Sequence, residues 1–323
     1  MTAALSIVIP VYRSERILRD LYAQLLDALD NSAGLFEIIF VEDCGDDNSW
    51  NVIIELASRD ERVRGLKLSR NYGQHNATLC GIREAQYDVI VTMDDDLQHP
   101  PDQIRFLLSE LSKGYDVVYG VAESERHGPL RNLASRITKL TLQNAMGAEN
   151  AQNVSAFRAF RTKLREAFAS YRNPFVSIDV LLSWATQSFG AVKVEHRRRH
   201  SGKSNYTWAK LINHTFNLVT GFSTAPLRFV SIIGFAFTLF GLGVLVWVLG
   251  VYLLYGSPVQ GFVFLATIIT TFAGVQLFTL GIFGEYLARI FGRTMDKPAY
   301  VLSERTQRSV VIAKRQTLEV RDL

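Results

Sequence analysis

The spacing of apolar residues changes along the chain, and each change marks an element. Leu5-Ser6-Ile7-Val8-Ile9 is a short apolar run that stops at Pro10-Val11-Tyr12, which predicts a strand. Leu18, Leu21, Leu25 and Leu29 recur at helical spacing, so a helix is expected from about Ser14. Phe36 to Val41 and Val63 to Leu68 predict two more strands. They run into Glu42-Asp43-Cys44-Gly45-Asp46-Asp47-Asn48-Ser49 and Ser69-Arg70-Asn71-Tyr72-Gly73-Gln74-His75. A helix from about Asn76 to Ala85 leads to Val89-Ile90-Val91-Thr92-Met93, a β-branched run suited to a strand buried on both faces. That strand enters Asp94-Asp95-Asp96-Leu97-Gln98-His99-Pro100-Pro101. The prolines stop it and suit the first turn of a helix expected from Pro101 to Lys113. Tyr115 to Tyr119 is the next strand. Strands alternating with helices predict an α/β, mostly parallel, doubly wound sheet. Four successive strands carry polar residues just past their carboxyl ends, where open α/β sheets bind ligands, and this rim suits a phosphorylated one.

Beyond the fifth strand the pattern is less regular. Arg126 to Met146 reads as a partly basic helix containing Arg131. Asn153 to Arg161 reads as a turn or short strand entering a helix, and Asn173-Pro174 precedes a helix expected from Phe175 to Thr186. Ala191 to His196 alternates as a strand and runs into Arg197-Arg198-Arg199-His200-Ser201-Gly202-Lys203-Ser204-Asn205-Tyr206. Trp208 to Leu227 is amphipathic behind that basic flank, a combination suited to a membrane surface. From Phe229 to Gly284 there is no charged residue. Phe229–Tyr255 and Gly261–Gly284 each exceed the roughly 20 residues that cross a bilayer. Arg228 precedes them and Arg289 and Arg293 follow, so both ends are expected in the cytoplasm and the turn at 256–260 outside. The expected organisation is a catalytic domain over 1–203, a membrane-surface segment over 204–228, two transmembrane helices over 229–284 and a cytoplasmic tail over 285–323, with a short strand at Ser309 to Ala313.

Composition narrows the partners. A net charge of +4 beside an apolar segment points to anionic lipid or phosphate, and no nucleic-acid partner is expected. Cys44 and Cys80 form neither a disulfide framework nor a zinc pattern. Leu5 to Ile9 is only strand length, so no signal peptide is expected. GxGxxG and GxxxxGK[ST] are both absent, which leaves nicotinamide enzymes and P-loop NTPases unsupported. Asp94 and Asp96 project from one short loop as hard oxygen donors, and Mg²⁺ takes one or two carboxylates plus substrate phosphates. A solvated acidic turn capping the next helix is the alternative reading.

Several segments together carry a resemblance. Val8-Ile9-Pro10-Val11-Tyr12, Glu42-Asp43, Arg70-Asn71-Tyr72-Gly73-Gln74-His75, the D-x-D-L-Q-x-P-P of Asp94 to Pro101, R-x-x-x-G-x-S-x-Y from Arg198 to Tyr206, and Pro226-Leu227-Arg228 resemble family 2 glycosyltransferases. Within that family they look like the polyprenyl-phosphate, dolichyl-phosphate mannosyltransferase-like branch. The resemblance implies a GT-A nucleotide-sugar-binding fold and inversion at the anomeric carbon. It implies a UDP- or GDP-sugar donor on Pro10, Val11, Tyr12, Glu15, Asp43, Asn71, Gln74, Asp94 and Asp95. Mg²⁺ or Mn²⁺ would sit on Asp94, Asp96 and Gln98, and a polyprenyl-phosphate acceptor would meet Arg131, Arg199 and Lys203. With Asp94 and Asp96, these three cations complete the expected catalytic set. A multi-pass homo-oligomer in the inner (plasma) membrane is expected, its catalytic domain and both termini cytoplasmic. Two departures stand out. Ala151-Gln152-Asn153-Val154-Ser155 lacks the carboxylate that relatives place before Phe157-Arg158 as a proposed base, and Cys44-Gly45 replaces a commoner Gly-Ser. A lipid monophosphate has a second pKa near about 6 and is mostly dianionic at neutral pH, so it needs placing by cations more than it needs a base. A processive polysaccharide synthase of the same superfamily would carry Q-x-x-R-W and more spans. A catalytically silent scaffold would have no need of the carboxylate signature.

Overall fold

The computed structural model describes residues 4–30, 34–122, 153–197, 225–255 and 261–306. It forms two units, Met1–Thr207 with Lys297–Leu323, and Trp208–Asp296. The first unit is built on β1 (Leu5–Val11), β2 (Phe36–Glu42), β3 (Val63–Leu68), β4 (Val89–Thr92), β5 (Val117–Ala122), β6 (Arg158–Arg161), β7 (Phe189–Val194) and β8 (Leu302–Arg305). Its helices are α1 (Leu18–Asp30), α2 (Ser49–Arg59), α3 (Gln74–Glu84), α4 (Ile104–Leu111) and α5 (Ile178–Ala185). Every residue of β1, β2 and β4 is buried, as fits strands covered on both faces. The helical leucines Leu18, Leu21, Leu25 and Leu29 all lie inside, along one face of α1. Against them the core gathers Ile7, Ile9, Phe40, Val91, Ile104 and Leu107.

Strand order is β7-β5-β6-β4-β1-β2-β3-β8. β1, β2, β3 and β4 run parallel, and β5 runs parallel to β7. The mostly parallel α/β sheet expected from the sequence is therefore present. From β1 the chain adds β2 and β3 on one side and β4 on the other, so connections diverge between β1 and β4. Their carboxyl ends open the crevice in which such sheets bind ligands. α3 lies close over this point: a Cβ at Gly81 would come within 2.3 Å of Val8 Cγ1, so only glycine allows the approach.

Some elements differ from the expectation. β6 enters antiparallel between β4 and β5 and is followed by a 3₁₀ turn over Thr162–Phe168. The helix after Pro174 starts only at Ile178. Pro101 opens a 3₁₀ turn over Pro101–Gln103 ahead of α4, a first-turn position its fixed φ suits. β8 is a strand the sequence reading did not contain; it pairs antiparallel with β3. The strand expected at 309–313, the basic helix at 126–146 and the amphipathic segment up to residue 224 lie outside the described residues.

The second unit contains α6 (Ala225–Tyr255) and α7 (Phe262–Thr294). Phe237 of α6 meets Phe272 of α7 edge to face, with ring centroids 5.8 Å apart. Among the described residues, no helix is long and apolar enough to cross a membrane. α7 carries Glu285 and Arg289 in its C-terminal part. The two spans expected from the sequence are thus not established by these helices.

Candidate active site

The acidic loop leaves β4 at the β1/β4 crevice. The strand ends at Thr92, and Asp95 and Asp96 lie in the turn that follows it. Asp95 turns toward β1, where Oδ2 accepts the Tyr12 N–H at 3.1 Å and the Ser14 hydroxyl at 2.5 Å. Burial pushes the Asp95 carboxyl up to about 6, against these two hydrogen bonds, and the Asp96 charge pushes it the same way as burial. Asp94 Oδ1 accepts the Gln74 side-chain amide at 2.5 Å, which ties the loop to the first turn of α3. Asp96 is buried, and its Oδ1 accepts the Gln98 N–H at 3.1 Å across Leu97. Leu97 has φ 58°, the left-handed region, where a leucine costs about 1–2 kcal/mol.

A second cluster joins β1, β2 and β3. The two oxygens of buried Asp43 accept the N–H groups of Tyr72 and Gly73 at 2.7 and 2.8 Å. Gly73 has φ 89°, which lets the Arg70–Gly73 loop bend its amides onto Asp43 and start α3. Burial lifts the Asp43 carboxyl to about 6; the two N–H bonds oppose this and Glu42 adds to it. Glu42 accepts the Gly45 N–H at 2.5 Å, and burial raises its carboxyl too. Glu15 stands in the β1 loop, its N–H donating to Asp47 and its carboxylate accepting the Asn48 N–H. Asn71 is exposed at the rim, as is Tyr12, whose ring lies under the Arg13 guanidinium.

Behind the acidic loop lies a buried polar network. Arg158 of β6 pairs with Asp179 of α5 and donates from Nε to Thr92 Oγ1 at 3.1 Å. The Tyr119 hydroxyl donates to Asp179 Oδ1 at 3.0 Å, and Thr92 donates to the Ala156 carbonyl at 2.7 Å. Beyond Gln98, the His99 ring stacks on Phe157 with centroids 5.1 Å apart and meets the exposed His196 edge-on at 4.9 Å. Burial and His196 together lower His99 to about 4, against the pull of Asp96, so His99 is neutral at neutral pH.

The structure brings Pro10, Val11, Tyr12, Glu15, Asp43, Asn71, Gln74, Asp94, Asp95, Asp96 and Gln98 to the rim formed by the ends of β1 to β4 and the start of α3. Arg131, Arg199 and Lys203 lie outside the described residues. Reading the sequence missed Ser14, His99, Asp179 and His196. Ser14 and His99 sit inside quoted motifs, and His196 directly precedes the basic run; Asp179 carries no local signal. Among the described residues no three His, Cys, Asp or Glu side chains form a metal-holding group. Asp94 and Asp96 offer two hard carboxylates, the share a protein gives to Mg²⁺ when substrate phosphates supply other ligands. The donor set therefore fits a divalent ion that arrives with a diphosphate.

Comparison with known proteins agrees with this geometry. A family model described as glycosyl transferase family 2 matches residues 6–169. An undecaprenyl-phosphate 4-deoxy-4-formamido-L-arabinose transferase of Shewanella sediminis is 34% identical over 302 residues, 93% of this chain and 91% of its own. Its counterpart in Pectobacterium atrosepticum is 33% identical over 320 residues, covering 98% and 97%. Mannosyl-3-phosphoglycerate synthase from Rubrobacter xylanophilus superposes with a TM-score of 0.52 at 16% identity, covering 72% of this chain and 75% of that one. Glucosyl-3-phosphoglycerate synthase from Mycobacterium tuberculosis, solved with Mn²⁺, UDP-glucose and phosphoglyceric acid, gives 0.50 at 14% identity, covering 68% and 79%. At such identities the likeness is one of fold, a GT-A-like α/β arrangement. With the family model spanning half the chain and relatives matching nearly all of it, the chain belongs to glycosyl transferase family 2.

Proposed function

We propose that this glycosyltransferase moves a sugar from a nucleotide sugar to a polyprenyl phosphate, undecaprenyl phosphate being the acceptor named for its relatives. The observation that carries the donor half is the acidic loop at the β1/β4 crevice, where Asp95 is tied to Tyr12 and Ser14 after β1 and Asp94 to Gln74 at the start of α3. Asp94, Asp96 and Gln98 would hold Mg²⁺ or Mn²⁺, which when bound supplies charge stabilisation to a diphosphate leaving group. Tyr12, Glu15, Asp43 and Asn71 bind and orient the nucleotide in this reading, and the start of α3 at Gln74 offers positive dipole to phosphate. An acceptor phosphate oxygen attacks the anomeric carbon as the bond to the donor phosphate breaks, and the nucleoside diphosphate leaves with inversion. The nucleophile is already mostly dianionic at neutral pH, which fits the lack of a carboxylate within Ala151-Gln152-Asn153-Val154-Ser155. Arg131, Arg199 and Lys203 are the cations assigned to the acceptor phosphate, with Arg giving a planar fork and Lys a movable charge.

The reading includes membrane attachment. α6 and α7 are 31 and 33 residues long, and no charge lies between Phe229 and Gly284. Large side chains such as Phe240, Trp247, Leu253 and Phe278 are exposed, as a lipid-facing surface requires. On this reading 229–284 spans the inner membrane twice, 204–228 lies at its surface, and 1–203 with 285–323 is cytoplasmic.

The test is transfer by the purified full chain in detergent. Undecaprenyl phosphate is offered with a panel of UDP- and GDP-sugars, including the nucleotide form of 4-deoxy-4-formamido-L-arabinose, with Mg²⁺, with Mn²⁺ and with chelator. Metal-dependent glycolipid formation from one donor is expected. Failure with every donor, or transfer undiminished by chelator, counts against the acceptor or the metal respectively.

A further inference from the structure

β7 leaves the sheet alongside the loop that follows the three aspartates, and residues 195–197 are fastened to residues 98–103. The Arg197 N–H donates to the Gln98 carbonyl at 2.8 Å, and the Glu195 N–H donates to Gln103 Oε1 at 3.2 Å. Between them His196 Nδ1 lies 3.4 Å from His99 Nε2. The His99 ring also stacks on Phe157, so it is held by two neighbours. His99 stands two residues past Leu97, whose left-handed backbone persists only where surroundings hold it. That turn carries Asp96 on one side and Gln98 on the other.

We propose that His196, acting through His99, is a positioning residue that holds the Asp96-Leu97-Gln98 turn in the shape that receives a divalent ion with a nucleoside diphosphate. The proposal rests on the donor reading above. Neither imidazole touches the ligand in it. Both act as orienting partners of the turn that bears the ligand-binding atoms, and loss of such partners typically weakens metal affinity by about tenfold or more. His196 is exposed and lies just past the end of β7, so a bland surface role predicts no change in ligand binding on its removal.

The experiment titrates the full chain in detergent with UDP and with GDP, each with and without Mn²⁺, and follows whichever nucleotide the wild type binds. His196→Ala is the main variant, because it removes an exposed ring and leaves the core intact. We expect it to weaken Mn²⁺-dependent nucleotide binding about tenfold, with the melting temperature and the Mn²⁺-independent affinity unchanged. His99→Ala should weaken binding to a similar degree. The double variant should be no weaker than the worse single one, since the two rings work as one unit. Wild-type affinity in His196→Ala, or losses that multiply in the double variant, overturns the proposal. A wild-type chain that binds neither UDP nor GDP under either condition removes the donor reading and this inference with it. A wild type that binds, matched by His196→Ala, removes the clasp alone.

Discussion

Replacing Asp96 by asparagine keeps the side chain's shape and removes its charge. Stabilisation of a diphosphate leaving group then falls by about 3 kcal/mol or more, so transfer should drop at least about a hundredfold while the melting temperature holds. Near-normal turnover in this variant would refute the role given to Asp96. Asp95, one residue earlier, should respond differently. Asp95→Ala strips acceptors from the Tyr12 N–H and the Ser14 hydroxyl, so a stability loss of about 1–3 kcal/mol is expected, read as a lower melting temperature. An Asp95→Ala chain that melts with the wild type would show that these bonds do not hold the loop. The sequence made the cluster visible but not this division of labour, because three identical side chains differ only in what folds against them.

At the scale of elements, β6 joins the sheet with Arg158 buried on Asp179, Thr92 and the Tyr119 ring. Asp179→Ala leaves that guanidinium buried without its counter-charge. Unfolding of the variant should be easier by about 3–5 kcal/mol, seen as a shifted denaturation midpoint, and a change below about 1 kcal/mol would deny the network its structural role. β1 to β4 and α1 were legible because their apolar spacing alone dictates strand or helix. β6 was legible only as a turn or short strand within 153–161: a buried arginine interrupts the strand pattern, and its partner lies 21 residues away on α5. β8 was hidden, since Leu-Ser-Glu-Arg on a sheet edge has mostly exposed side chains and no period. The His99–His196 pair joins residues 97 apart, a separation that no local pattern encodes.

For the whole molecule, pH exposes opposed groups in one window. Asp43 is raised from 3.8 to about 6, so the folded state binds its proton more tightly than the unfolded chain does. Its stabilising contribution is complete below pH 3.8 and is lost as pH rises through about 6. Asp95 has the same sign, whereas His99, lowered from 6.5 to about 4, loses its contribution as pH falls through that value. Asp43→Asn should therefore gain on the wild type between pH 4 and 6, by up to about 3 kcal/mol, in melting curves of the full chain at pH 4, 5, 6 and 7. A gap between the two curves that does not vary with pH would contradict the assignment. The antiparallel pairing of β8 with β3 has a consequence for biosynthesis. Trp50 Nε1 donates to Glu304, the Thr306 N–H donates to the Gly65 carbonyl, and Arg305 pairs with Glu84, so the outer edge of the first unit is finished by residues 302–306. A ribosome makes these residues only after both long helices. Until then the nascent chain carries β3 as an open edge, a template for wrong pairing. A chain stopped at residue 296 should aggregate on expression although β1 to β7 are all present, and supplying the missing edge as a separate peptide of residues 297–323 should reduce that aggregation.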